Sequence, residues 1–140
     1  MISSDVALEE VLMWTWAMAA FVTLCAGSAS AQEEFGTYFT VLSTQDMYNS
    51  SGNLLTDFCQ IVQQDRANYH RFNRRDEGDE GDPFFSLAEA RQVISQSCYI
   101  ASGQDYIVDD VMGGFPRYVW VQVIGTGGRI TGVVVNEGGG

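Results

Sequence analysis

Gly52-Asn53-Leu54-Leu55-Thr56-Asp57-Phe58-Cys59-Gln60-Ile61-Val62-Gln63-Gln64-Asp65-Arg66-Ala67-Asn68-Tyr69-His70-Arg71-Phe72 decides how the rest of the chain is read. Gly52 and Asn53 break and cap the chain. Leu54, Leu55, Phe58, Ile61, Val62 and Tyr69 then recur at close to helical spacing. The spacing predicts one amphipathic helix over 52–72, with Cys59 on its apolar stripe.

A second helix is expected after residue 85. Ser86-Leu87-Ala88-Glu89 has the form of a capping box, in which the serine hydroxyl and the glutamate satisfy orphan backbone N–H groups. Leu87, Ala90, Ile94, Cys98 and Ala101 follow at spacings of three and four, so Cys98 shares a stripe as Cys59 does. An antiparallel helix pair satisfies both patterns. Between the helices, seven of the eleven residues 73–83 are charged and others are Gly or Pro. Such a segment builds no core and is expected to be an exposed, mobile loop.

Working outward, the aromatic and β-branched run Phe35-Gly36-Thr37-Tyr38-Phe39-Thr40-Val41-Leu42 suits a short strand. Residues 43–51 are polar and read as a turn or one loose helical turn. From Tyr106 onward the character is that of strand. Tyr118-Val119-Trp120-Val121-Gln122-Val123-Ile124 and Ile130-Thr131-Gly132-Val133-Val134-Val135 flank Gly127-Gly128, a hairpin signature. That turn sets Trp120, Gln122 and Ile124 opposite Val135, Val133 and Thr131, with Val119, Val121 and Val123 on the other face beside Val134. A lone hairpin is marginal in water, and the 35–42 run is the strand available to extend it. The fold class is therefore α+β: a helix pair, a C-terminal β-hairpin and an N-terminal strand.

The N-terminus bounds the compartment. Residues 11–25 carry no charge, and Ala29 and Ala31 stand two apart before Gln32, the form of a secretory h-region and cleavage site. Residues 1–31 are read as a signal peptide, although Asp5, Glu9 and Glu10 stand where basic residues belong; the rival is an uncleaved N-terminal membrane helix. Residues 32–140 then form a single exported domain, periplasmic or secreted. Two cysteines in an exported domain make one candidate disulfide, Cys59–Cys98, whose closure restricts the unfolded chain by roughly 4 kcal/mol. The alternative is two buried free thiols.

Charge narrows the partners. Removing Asp5, Glu9 and Glu10 from the 18 acids leaves 15 against seven arginines, a formal charge of −8. Nucleic acid and anionic lipid repel such a domain, so its partner is expected to be a protein. Contact with a membrane is expected only if the N-terminal helix is retained.

No residue set announces a chemistry. His70 is the sole histidine and lies at a helix end, where a cation complements the dipole. No Gly-x-Ser-x-Gly elbow is present. Asp109-Asp110 and the other adjacent acids are expected to be solvated, so no catalytic residue is assigned and the chain is read as a non-enzyme. Asp76-Glu77-Gly78-Asp79-Glu80-Gly81-Asp82 offers hard oxygens. Its spacing fails an EF-hand, with Gly78 at the third position and Leu87 at the twelfth, so no metal site is assigned. Gly125-Thr126-Gly127-Gly128 lies between two strands and lacks the helix N-terminus that holds phosphate, so no cofactor is assigned. The basic residues Arg71, Arg74 and Arg75, beside the acidic Asp76, Glu77, Asp79, Glu80 and Asp82, make a bipolar surface suited to binding a protein.

Gly52-Asn53-Leu54-Leu55-Thr56-Asp57-Phe58-Cys59 resembles the Gly-Asn-x-Leu-x-x-x-Cys start of the Tai/Rap immunity-protein family. Cys98-Tyr99-Ile100-Ala101-Ser102-Gly103-Gln104-Asp105 is similar to the Gly-Tyr-Ile-x-Gly-x-x-Asp motif of that family in the spacing of Tyr99, Ile100 and Asp105. The resemblance covers about residues 52–105. It implies a small exported protein that neutralises a cell-wall-degrading effector of a type VI secretion system by occlusion, with the 73–83 loop as the plug. The rival is a membrane-anchored accessory subunit of an envelope complex, and a small hydrolase is the third reading.

Overall fold

The computed structural model describes residues 27–139. The segment 1–26, on which the signal-peptide reading turns, lies outside the described residues. Among the described residues, no helix is long and apolar enough to cross a membrane. The elements in order are β1 (Glu33–Leu42), a 3-10 turn (Thr44–Met47), α1 (Phe58–His70), α2 (Ala88–Gln96), β2 (Cys98–Ile100), α3 (Tyr106–Met112), β3 (Arg117–Thr126) and β4 (Arg129–Glu137).

The α+β class and the three-stranded antiparallel core hold. β1 pairs with β3, and β3 with β4, both antiparallel. An unexpected fourth strand, β2, adds in parallel to the far side of β4, giving the sheet order β1-β3-β4-β2. Tyr38 and Leu42 of β1, Val119, Val121 and Val123 of β3, and Val133 and Val135 of β4 present one apolar face. Phe58, Ile61 and Val62 of α1, Ile94 of α2, Ile107 and Val111 of α3, and Phe85 from the loop join the same core. Alternating buried and part-exposed residues along β1 are what a sheet covered on one face requires.

Several local expectations are corrected. α1 begins at Phe58 rather than after Asn53, because the Asp57 side chain accepts from Gln60 N at 3.1 Å and is the better cap. The Ser86 box is not formed: Leu87 stands at the cap of α2 without a side-chain bond. A capping box forms instead at Ser43 and Asp46, on the 3-10 turn. Tyr106, expected to open strand structure, opens α3. Cys98 is on a strand, because α2 stops at Gln96 and Ser97 leaves helical space at φ −145°.

The disulfide is corrected as well. No bond joins Cys59 to Cys98, and the Cys59 thiol donates to the Cys98 carbonyl at 3.4 Å. Strand pairing of Cys98 with Val133 and the seating of α1 in the core bring the pair together without a covalent staple.

The hairpin turns at Gly127-Gly128 as expected, both with positive φ (58° and 73°), the requirement of a type I′ turn. Its register is one residue off. Trp120 pairs with Asn136, Gln122 with Val134 and Ile124 with Gly132, because a bulge between Ile124 and Gly125 absorbs Thr131. Val121 and Val123 thereby oppose Val135 and Val133 on the buried face. Gly125 makes the bulge feasible, since a Cβ there would lie 1.9 Å from the Arg129 carbonyl oxygen, a backbone atom with no room to yield. Gly125→Ala should therefore lower stability by about 2–3 kcal/mol in urea denaturation. An unchanged midpoint would show that the bulge does not set the register.

Candidate functional site

The Gln60, Gln63, Gln64, Ala67 and Arg71 positions recur at helical spacing and form one face of α1. Beside that face lie Ala88, Arg91 and Gln92 of α2, and Asn49, Ser50 and Leu55 from the turn that precedes α1. Together with Phe72 they enclose a groove of about 440 Å³. No carboxylate lines it. Three glutamines of α1, Gln92, Asn49 and two arginines supply its polar surface.

The groove wall is fastened inward by a chain of amides. Gln64 Nε2 donates to Asn68 Oδ1 and Asn68 Nδ2 donates to Asp46 Oδ1, each at 2.9 Å. Asp46 also accepts from Ser43 N at 3.0 Å. Gln64 thus commits one amide N–H to Asn68, which leaves its second N–H and its oxygen for other partners. Arg91 is only 5% exposed and is held by Nη1, which donates to the Phe85 and Ser86 carbonyls at 3.0 Å each. Next in sequence to lining residues stand large apolar side chains in solvent: Tyr48, Leu54 and Leu87, at 49%, 55% and 66% exposure.

The charged loop is not the free segment expected from its composition. Asn73, at φ +52°, reverses the chain after α1, and the loop then runs along the outer edge of β1. Glu80 N donates to the Phe39 carbonyl at 2.9 Å, and Phe39 N donates to Glu80 Oε2 at 3.1 Å. Asp79 Oδ1 accepts from Val41 N at 2.8 Å, and Asp76 Oδ2 from the Ser43 hydroxyl at 2.7 Å. Carboxylates thus occupy the edge N–H groups that another strand would seek.

Asp82 goes further inward. Its Oδ2 accepts from Arg66 Nη1 at 2.9 Å and lies 2.8 Å from His70 Nε2; its Oδ1 accepts from Phe84 N and Phe85 N at 2.8 and 2.7 Å. Those four partners saturate a carboxylate. Burial pushes the Asp82 carboxyl up, but the bonds from His70, Arg66, Phe85 and Phe84 outweigh it and hold the group below the ordinary carboxylate range. His70, the last residue of α1, is committed to this bond.

Arg66 is fully buried, with Nε donating to Asp65 Oδ2 at 2.8 Å and Nη2 to the Thr40 hydroxyl at 3.0 Å. Its guanidinium lies 4.1 Å from the centre of the Tyr38 ring and 4.9 Å from that of Tyr69. Thr40 Oγ1 is 2.7 Å from Asp65 Oδ1 and 3.0 Å from Asp79 Oδ1, yet a hydroxyl has one proton to donate. A proton on Asp65 resolves the count, because Asp65 then donates to Thr40 and Thr40 to Asp79. The same direction follows from burial, which pushes the Asp65 carboxyl up to about 8 against the opposing pull of Arg66. Burial likewise raises Asp46 to about 6 against its bonds from Ser43 and Asn68.

The residues singled out for partner binding therefore divide. Arg71 lines the groove, and Arg74, Arg75, Glu77 and Glu80 are exposed around the loop. Asp76, Asp79 and Asp82 turn inward to β1 and Arg66. Sequence reasoning missed Arg91, Gln60, Gln63 and Gln64. Their signal was a polar face on α1 unusually rich in uncharged amides for so acidic a chain. Among the described residues, no group of three or more His, Cys, Asp or Glu side chains is placed to hold a metal ion. Comparison of the chain with protein-family models, with curated proteins and with solved structures finds no match.

The two raised carboxyls fix a pH dependence. Between the unfolded and folded values the folded state holds the extra proton, so stability falls as pH rises through that window, from about 4 to about 8. Asp82 acts oppositely, its contribution disappearing as pH falls through its lowered folded value. Thermal midpoints should peak near about pH 4, decline toward pH 8 and flatten above it. Asp65→Asn, which mimics the protonated form, should flatten the decline; an unchanged slope would place the proton elsewhere.

Proposed function

We propose that the chain is a small exported binding protein, periplasmic or secreted, that acts as an immunity-like inhibitor by covering a cell-wall-degrading effector. It works by occlusion and performs no catalysis. The observation that supports a binding role is the groove between α1 and α2, which carries arginines and no carboxylate, with exposed Tyr48, Leu54 and Leu87 next in sequence to residues that line it. Exposed apolar residues around a polar groove with arginine are what protein interfaces concentrate. The class of partner comes from the resemblance over 52–105.

In this reading Arg71 belongs to the contact surface, with Arg74, Arg75, Glu77 and Glu80 at its margin. Asp76, Asp79 and Asp82 act indirectly, by holding the loop against β1 so that the arginines project from a fixed base. A rigid surface loses little freedom on association, and that favours tight occlusion.

The test is a titration of the purified chain into a peptidoglycan-hydrolysis assay of an effector encoded beside its gene. Stoichiometric inhibition is expected, and a Leu54→Ala, Leu87→Ala double variant that folds normally should inhibit about tenfold less well or worse. Absence of both inhibition and a complex on size-exclusion chromatography would remove the immunity-like role.

A further inference from the structure

Seven arginines offset eighteen acids in this chain, and almost any arginine could find a carboxylate nearby. Among the described residues, Arg66 and Arg117 are the arginines that form ion pairs. Arg71 and Arg91 form none, and both line the same groove. Arg91 is the more telling, because a guanidinium so deeply buried with only carbonyl partners retains donors that no anion satisfies. Burial, and then the like charge of Arg71, pull its pKa below the ordinary arginine value, against the weaker opposing influence of Glu89 and Asp82. Two cations thus face one cavity with no acid on its walls.

We infer that the groove between α1 and α2 receives an acidic peptide segment, with its carboxylates on Arg71 and Arg91 and its main chain on the amides of Gln63 and Gln64. The inference rests on the binding-protein reading and supplies the chemistry of the partner. Guanidinium and carboxylate match as forks, and a primary amide offers both the donor and the acceptor that a peptide unit needs. A peptide is favoured over an acidic glycan by Leu55 and Ala88 in the lining, each preceded in sequence by an exposed leucine, which suit aliphatic side chains. Phe72, the one aromatic ring in the lining, is taken by the guanidiniums of Arg71 and Arg74, 5.1 and 5.8 Å from its centre, and is not free as a stacking platform for sugar.

The experiment is an NMR titration of the folded chain with a short peptide of alternating aspartate and alanine. Parallel arms use the same peptide with asparagine for aspartate, a galacturonate oligomer and inorganic phosphate. The expected result is saturable shifts at Gln63, Gln64, Arg71 and Arg91 with the acidic peptide only, weakened about tenfold or more by Arg71→Gln and by raised salt. Arg91→Gln risks the fold through the lost Phe85 and Ser86 bonds, so Gln63→Glu, which places a carboxylate in the groove, is the second variant and should also weaken binding. Equal binding of the asparagine peptide, or preference for the galacturonate oligomer or phosphate, would overturn the assignment. No binding by any arm, with effector inhibition intact, would refute the acidic-peptide site while leaving the inhibitor reading standing; loss of inhibition as well would remove both.

Discussion

A guanidinium buried in the core of a small domain constrains everything around it. Arg66 lies on the face of α1 that would otherwise be apolar, and the cost of desolvating it is offset only if every nitrogen finds an acceptor in the right direction. Asp65, Thr40, Asp82 and the Glu80 carbonyl supply those acceptors from α1, β1 and the loop. The pair of Tyr38 and Tyr69 rings adds a polarisable lining. α1 cannot slide along the sheet without exposing this charge to apolar surroundings, so one residue fixes the docking of helix, strand and loop together.

The groove and the loop follow from that docking. In the 71–82 segment, Asp82 is drawn into the core, where Arg66 balances it, and Asp79 and Glu80 are turned onto the edge of β1. The positive half is left outward. Arg75 rests 3.9 Å from the centre of the Tyr69 ring and Arg71 reaches the groove. A strongly acidic protein thus displays a local cationic surface without any excess of basic residues.

What was legible in the sequence was whatever depends on periodicity. The strand before Leu42, the hairpin about Gly127-Gly128 and the existence of two helices all follow from patterns of two or of three and four. The boundaries were not, because capping is a competition among neighbouring candidates: Asp57 wins over Asn53 at α1, and Leu87 stands at the cap of α2 where Ser86 was expected. The stripe through Cys98 misled for a related reason, since a three-residue strand is too short to show its own period. The gap in the apolar pattern of α1 at Asp65 and Arg66 was the visible trace of the buried polar network. Composition alone made the acidic loop look unanchored, whereas a carboxylate that finds backbone N–H donors on a strand edge is no longer a solvated charge. The groove went unread because a polar helix face is ordinarily a solvated one, and its second wall comes from α2, which only the fold brings alongside.

The sheet order carries a kinetic implication. β1 enters first, but its strand partner is β3, and Glu34 and Gln122, bonded across that pair, are 88 positions apart. Contacts of such separation form late, because the long intervening loop must be closed before any pairing rewards it. The helices can assemble early from local contacts, but Tyr38, Thr40 and Leu42 have no sheet to rest on until the C-terminal hairpin is present. A polypeptide with this wiring closes its sheet in a single late event, when the last third of the chain arrives to receive the first.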